Sequence, residues 1–339
     1  MIRTWSASPE GRSAHTEQPY AGLSPDKVLE AATRVGLECD GSLFALNSYE
    51  NRVYRIGTDR GVCVLKFYRA NRWTDAQILE EHRFATELAA AELAVPEPWR
   101  FDGDSLITFE GFRFAAFPWM GGRAPELDAA DSRELLGRAL GRLHAVGFRA
   151  AFESRVALGI ERYAMRPREL ALNSPLLPEG LREPFDRASG ALLQRIETAF
   201  EAIGELRFGR LHGDCHLGNL LWNAHGPVFV DLDDCVNGPA VQDLWMLLSG
   251  SSQEQRAQWE TLIQGYERFA DFDYRQLAIL EPLRGLRMLQ HAGWVVQRWD
   301  DPAFPRAFPW FGEPRYWEQL VRDYLEQIAQ IDSPPILSC

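Results

Sequence analysis

Residues 211–234 read LHGDCHLGNLLWNAHGPVFVDLDD, and the first twelve alone crowd two imidazoles, a thiol, an amide and a carboxylate between apolar flanks. Asp214 precedes Asn219 by five residues, and Asp231 follows twelve later. Leu220–Asn223 and Pro227–Val230 read as short strands around a turn at His225-Gly226. Paired strands lie only about 4.8 Å apart, so pairing brings Asp231 back beside Asn219, with Asp214 on the loop at the same end. Carboxylate and amide oxygens are hard donors suited to Mg²⁺. An Asp, an Asn five residues on and a downstream Asp is the order in which phosphoryl-transfer sites present a base and a pair of metal ligands.

Other chemistries fit the same residues. His212-x-Asp214-x-His216 suits a metal-dependent hydrolase, although the next candidate ligands, Asn219 and Asp231, are oxygen donors. Cys215 is a candidate nucleophile, but its acidic neighbours raise the thiol pKa. In the plainest reading Asp231, Asp233 and Asp234 are a solvated turn.

Phosphoryl transfer also needs a cation on the nucleotide phosphates, held in place by a carboxylate. The chain has two lysines, Lys27 and Lys66, and every other basic side chain is Arg. VCVLKFY places Lys66 on an apolar strand. Fifteen residues later Glu81 lies in the apolar stripe of a helix (Ile78, Glu81, Ala85, Leu88), where a charge needs a partner. Thr74 and Gln77 form the capping box that starts this helix, and VPEP at 95–98 is expected to end it. A strand Lys facing a helix Glu is how kinases hold their phosphate-binding cation; the plain alternative is two unrelated surface charges.

These residues need elements to position them. Residues 42–118 read as mostly strand, with RVYRIG and GVCVLKFY predicted to pair across the turn TDRG, and SLITF and FRFAAFPW across Glu110-Gly111. The segment LNSYENRVYRI between the first strands lacks a G-x-G-x-x-G loop, so Ser48, Asn51 and backbone N–H groups would have to meet phosphates there. After PWMGGR the pattern turns helical, near 131–147, 178–205, 252–270, 275–299 and 315–331. The expected fold class is α+β and bilobal, protein-kinase-like: a small antiparallel β lobe with one helix (23–118), a hinge (119–123) and a larger helical lobe (124–333). Residues 1–22 and 334–339 read as tails, the first of them flexible.

Bulk properties narrow the function. With 36 basic and 48 acidic side chains the net charge is −12, which disfavours nucleic acid as a partner. No apolar run approaches the ~18 residues of a membrane helix, and the N-terminal stretch lacks the apolar core of a secretion signal. Five cysteines without C-x-x-C spacing suit a reduced cytoplasm.

Taken with LNSYENRVY, VLKFYR, RWT, QILEEH, LHGDCHLGN, FVDLDD, NGPAVQDLWMLL and DPAFP, the chain resembles the aminoglycoside phosphotransferase and choline kinase branch of the kinase fold. Within that branch it is similar to the bacterial stress response kinase A group. The likeness runs from about residue 46 to 310. It implies Asp214 and Asp231 as catalytic carboxylates, with Asp214 the base, and Asn219 and Asp231 as Mg²⁺ ligands. It implies Ser48, Lys66 and Glu81 around ATP, and AFPWM (116–120) as a hinge where Phe117 and Trp119 meet adenine. It further implies Asp243 as a brace for the catalytic loop. Departures are Gly213 for the Arg of H-R-D loops, Leu232 for the Phe of D-F-G, and the lack of an A-P-E segment. The expected function is an ATP- and Mg²⁺-dependent kinase acting on Ser or Thr of a protein substrate, itself included, as a monomer. The alternative on the same fold is a small-molecule kinase for an amino alcohol, sugar or aminoglycoside.

Overall fold

The structure is a computed structural model that describes residues 19–127, 130–335 and 337. The expected N-terminal tail lies mostly outside the described residues. Where description begins, the Tyr20 hydroxyl donates to the carbonyls of Glu50 (2.8 Å) and Phe67 (3.3 Å), so ordered contacts start before residue 23.

Helix α1 (Pro25–Arg34) leads into a five-stranded antiparallel sheet. Its strands are β1 (Cys39–Leu46), β2 (Arg52–Thr58), β3 (Gly61–Phe67), β4 (Ile107–Phe109) and β5 (Phe112–Pro118), in the order β1-β2-β3-β5-β4. Both expected hairpins form: Arg52 pairs with Phe67 through Thr58 with Gly61, and Ile107 with Phe114 through Phe109 with Phe112. Helix α2 (Asp75–Ala90) crosses between β3 and β4, opened by the Thr74–Gln77 capping box. It stops at Ala90, before VPEP, because Glu92 adopts a positive φ of 59° and breaks the helical run.

Strand alternation decides which face each side chain takes. Cys63, Leu65 and Phe67 of β3, with Phe114 and Ala116 of β5, pack under α1. The intervening Ala115 and Phe117 join Tyr68, Trp73 and Ile78 on the opposite face, against α2. Lys66 falls on this second face by the same period of two.

The rest of the chain is mainly helical. Helices α3 (Ala130–Gly147), α4 (Arg166–Leu172) and α5 (Arg182–Ile203) precede two short strand pairings. Strand β6 (Gly209–Leu211) enters the site, and β7 (Leu220–Asn223) pairs with β8 (Gly226–Phe229) as expected. Strand β9 (Val236–Gly238) pairs back on β6. Helices α6 (Val241–Trp245), α7 (Ser252–Tyr266), α8 (Leu280–Gln297), α9 (Ala303–Ala307) and α10 (Pro314–Ile331) complete the chain. One large apolar core unites these helices with the inner faces of β6 and β8. No helix among the described residues is long and apolar enough to cross a membrane.

The connection at 119–123 is stitched to the site hairpin. Arg123 and Trp222 exchange both backbone hydrogen bonds, at 2.9 and 2.8 Å. A Cβ on Gly122 would come within 2.8 Å of the Leu221 Cβ, so glycine is what allows this approach. Phe229 N–H bonds the Ala94 carbonyl at 2.9 Å. The hairpin is thereby fixed to the chain on both sides of the sheet.

Candidate active site

The cleft between sheet and helices centres on one buried ammonium. Lys66 Nζ donates to Glu81 Oε1 at 3.0 Å and to Asp231 Oδ1 at 3.4 Å, and lies 2.9 Å from Asp233 Oδ1. Burial alone would lower the Lys66 pKa, but Asp233 and Glu81 outweigh it and hold the amine well above its ordinary value. Arg155, from the loop after α3, holds the other Glu81 oxygen at 2.9 Å and spans the carbonyls of Asp233 and Cys235. The strand Lys and helix Glu are therefore joined inside the protein, not on its surface.

The hairpin converges as its spacing suggests. Val230 N–H bonds the Asn219 carbonyl at 3.0 Å, which places Asp231 beside Asn219. Asp231 sits in the left-handed region at φ 59°, with 54% of its side chain exposed. The Asn219 amide donates to the Asp214 carbonyl at 2.9 Å and to Asp214 Oδ2 at 3.3 Å, which leaves its own oxygen as the donor atom for a cation. Asp243 braces the loop: its two oxygens accept from the backbone N–H of His212 and Gly213, both at 2.8 Å, and Oδ2 also meets His144 at 3.1 Å.

Two cavities meet at this loop. The first, of about 300 Å³, is lined by Ser48, Lys66, Glu81, Phe117, Trp119, Asn219 and Asp231, with Leu46, Val53 and Val64 as an apolar wall. The second, of about 180 Å³, holds Asp214 with Asp234, Arg72, Arg287, His291 and Trp294. Asp214 and the other expected site residues thus lie on two sides of one wall, joined by the Asn219–Asp214 contact. Ser48 also accepts the Asn51 N–H at 3.3 Å, closing the glycine-free turn between β1 and β2. The Trp119 N–H is taken by the Val62 carbonyl at 3.2 Å, so this group is committed to the sheet, while Phe117, Trp119 and Met120 all line the cavity.

Asp214 is polarised by its neighbours. Burial would raise its pKa, but the His216 hydrogen bond and Arg287, 2.6 Å from Oδ1, hold it below the ordinary carboxylate range. His216 Nε2 lies 3.4 Å from Oδ2.

The competing chemistries separate on geometry. The His212 ring is fully buried and bonds the Val230 carbonyl through Nε2 at 3.0 Å, whereas His216 Nδ1 accepts the Gly218 N–H at 2.9 Å. The two imidazoles of the expected hydrolase cluster are committed to backbone on separate partners. Among the described residues no group of three or more His, Cys, Asp or Glu side chains is placed to hold a metal ion. Cys215 is fully buried, and burial pushes its thiol well above the ordinary range, which suppresses a thiolate nucleophile.

The solvated-turn reading of Asp231, Asp233 and Asp234 fails at its middle member. Asp233 is 2% exposed and lies between Lys66 at 2.9 Å and Arg72 at 2.5 Å. Three acids in one turn look alike in sequence, and the apolar VFV run before them is the one local signal that part of this turn is buried. Arg72 enters the sequence reading only within RWT, without a role, and Arg155 and Arg287 do not enter it, since nothing local distinguishes them from the many other arginines.

The chain is similar to known proteins over most of its length. The model of the phosphotransferase enzyme family matches residues 43–280. Stress response kinase A of Escherichia coli (strain K12) is 45% identical over 318 residues, covering 94% of this chain and 96% of that protein. A serine/threonine protein kinase RdoA of Salmonella typhimurium is 43% identical over the same share of both chains. Among solved structures, an amicoumacin kinase in complex with AMP-PNP, Ca²⁺ and Ami superposes with a TM-score of 0.71 at 19% identity, covering 92% of this chain and 94% of its own. A microcompartment-associated aminopropanol kinase gives 0.65 at 19% identity over 91% and 96%.

Proposed function

Since the chain belongs to the phosphotransferase enzyme family and is a kinase, we propose that it transfers the γ-phosphoryl group of ATP, with Mg²⁺, to a Ser or Thr hydroxyl of a protein substrate. The observation that carries this reading is the meeting of Lys66, Asp231 and Asn219 in one cavity with Asp214 immediately behind them.

Each residue then has a task. Lys66, fixed by Glu81 and Asp233, presents a permanent cation to the phosphates. The apolar wall of Leu46, Val53 and Val64, with Phe117 and the Trp119 ring, takes the adenine. Ser48 and the turn after it face the phosphates. Asn219 and Asp231 would hold Mg²⁺: both offer hard oxygens, Asp231 is open to the cleft, and two protein ligands leave room for water and phosphate in the octahedral shell this ion prefers. When bound, the ion would neutralise charge on the transferring phosphoryl group. Asp214 orients the acceptor hydroxyl and receives its proton.

The names of the curated relatives favour a protein acceptor. A second reading has an observation of its own: the cavity at Asp214 holds about 180 Å³, enough for a small amino alcohol as well as for a single side chain, and the aminopropanol kinase shares the fold. Incubation with labelled ATP and Mg²⁺ separates the two, with label scored on the protein itself, on a generic basic protein and on small alcohols. Asp214→Asn is expected to lower transfer by roughly 10²–10⁴-fold while ATP still binds. Near-normal transfer by this variant would remove Asp214 from the role of base.

A further inference from the structure

The second cavity contains a cation whose position the transfer reaction does not require. Arg287 Nη1 lies 2.6 Å from Asp214 Oδ1. The other carboxylate oxygen receives Asn219 Nδ2 at 3.3 Å and faces His216 Nε2 at 3.4 Å. Both oxygens are thus engaged, and the guanidinium that holds Oδ1 lines the second cavity together with Asp214.

Arg287 differs from the other guanidinium there. Arg72 is locked between Asp233 at 2.5 Å and Asp234 at 2.6 Å. Among the described residues, Asp214 is the one carboxylate within ion-pair distance of Arg287, whose side chain is 40% exposed. It projects from the face of α8 that also carries Gln290, His291 and Trp294, at spacings of three, four and seven, into the same cavity.

We propose that Arg287 is a positioning residue that occupies Asp214 until an acceptor hydroxyl replaces it, so that the site stays inert toward water. The proposal rests on the reading of Asp214 as base. A hydrogen bond between two charged groups is about twice as strong as a neutral one, so a passing water does not displace the guanidinium. An acceptor held in the cavity by its own contacts delivers its hydroxyl at high effective concentration and does displace it. In the transfer, the acceptor oxygen bonds to the γ-phosphorus as the bond to the β,γ-bridging oxygen breaks. ADP leaves with that electron pair, and the hydroxyl proton passes to Asp214 and then to solvent. With water as acceptor the products are ADP and inorganic phosphate, and this is the reaction Arg287 suppresses.

The test is hydrolysis of ATP with Mg²⁺ and no added acceptor, free phosphate being counted apart from label on the protein. Wild type, Arg287→Ala, Arg287→Lys, Asp214→Asn and the double variant Asp214→Asn/Arg287→Ala are compared, with nucleotide affinity measured by calorimetry on each. Should Arg287→Ala fail to bind nucleotide, Arg287→Gln takes its place. Arg287→Ala is expected to raise hydrolysis by about tenfold, below the 10²–10⁴ that a positioned base contributes. Arg287→Lys should give a smaller rise, and the double variant none. A variant that binds nucleotide normally and hydrolyses no faster than wild type overturns the proposal, as does a gain that survives in the double variant. Normal phosphoryl transfer by Asp214→Asn would instead overturn the underlying assignment of the base.

Discussion

At the scale of single residues, two positions explain more than their chemistry suggests. Gly213 has φ +85°, and a Cβ there would lie 2.2 Å from the Asp234 carbonyl. The loop therefore reads H-G-D and not H-R-D because the backbone of the following Asp-Asp turn occupies the space a side chain would need. His82 is the second. It is 1% exposed, paired to the Tyr68 hydroxyl and to Ser105 Oγ, both at 2.8 Å. Burial, then the charges of Lys66 and Arg155, push its pKa down from 6.5 to about 3. Below pH 6.5 the unfolded chain takes up a proton that the folded chain refuses, so stability is lost progressively as pH falls from 6.5 toward 3. Each unit in that window corresponds to about 1.4 kcal/mol at most. Urea midpoints measured from pH 7 to 5 should fall for the wild type and fall less steeply for His82→Gln; parallel slopes would show that other groups carry the dependence.

At the scale of elements, α2 does two jobs with adjacent acids. Glu81 holds Lys66 and Arg155. Glu80, about 100° round the helix, accepts the backbone N–H groups of Glu153, Ser154 and Arg155 at 2.7, 3.0 and 2.7 Å. The same helix thus aims Arg155 from its backbone and from its side chain. Periodicity placed Glu80 on a face with Gln77, Phe84 and Glu87, yet it is 6% exposed, since a loop distant in sequence covers that face. Glu80→Ala leaves three N–H groups without their acceptor, and the expected cost is about 3 kcal/mol in urea unfolding. A weaker nucleotide affinity should accompany it, because Arg155 then loses its anchor. A loss below half that cost would mean that water replaces the carboxylate freely.

Across the whole molecule, the turn between β1 and β2 is fastened to the helical part. Tyr49 packs on Trp294, Phe304 and Phe308. Glu50 meets Arg298 at 3.0 Å and Arg69 at 2.9 Å, and Arg69 reaches the buried Asp301 at 2.6 Å. A turn without glycine cannot mould itself round phosphates by backbone freedom alone, so this clasp holds it in shape from across the cleft. It also gives a task to the DPAFP stretch, far from the hairpin. Asp301→Ala leaves the buried Arg69 with Glu50 as its remaining carboxylate, and the expected cost is about 1.5–3 kcal/mol, that of one hydrogen bond between charged groups. Faster hydrogen exchange at residues 47–51 and a several-fold higher KM for ATP are expected. Unchanged exchange there would show that the aromatic contacts suffice.

The hairpins, the capped helix, the α+β class and the Asp214–Asn219–Asp231 hairpin are legible in the amino-acid order, because each is written in short-range signals: a period of two, a period of 3.6, or a turn between two strands. The same order also places Lys66 opposite Glu81, since one buried charge demands another. Long-range packing sets the rest: Asp233 is buried, Arg155 and Arg72 complete the ion network, and Arg287 reaches Asp214 from α8. Those partners lie up to 161 residues apart in the chain. The choice among so many arginines is made by which helix packs beside which loop, and no local pattern carries that information.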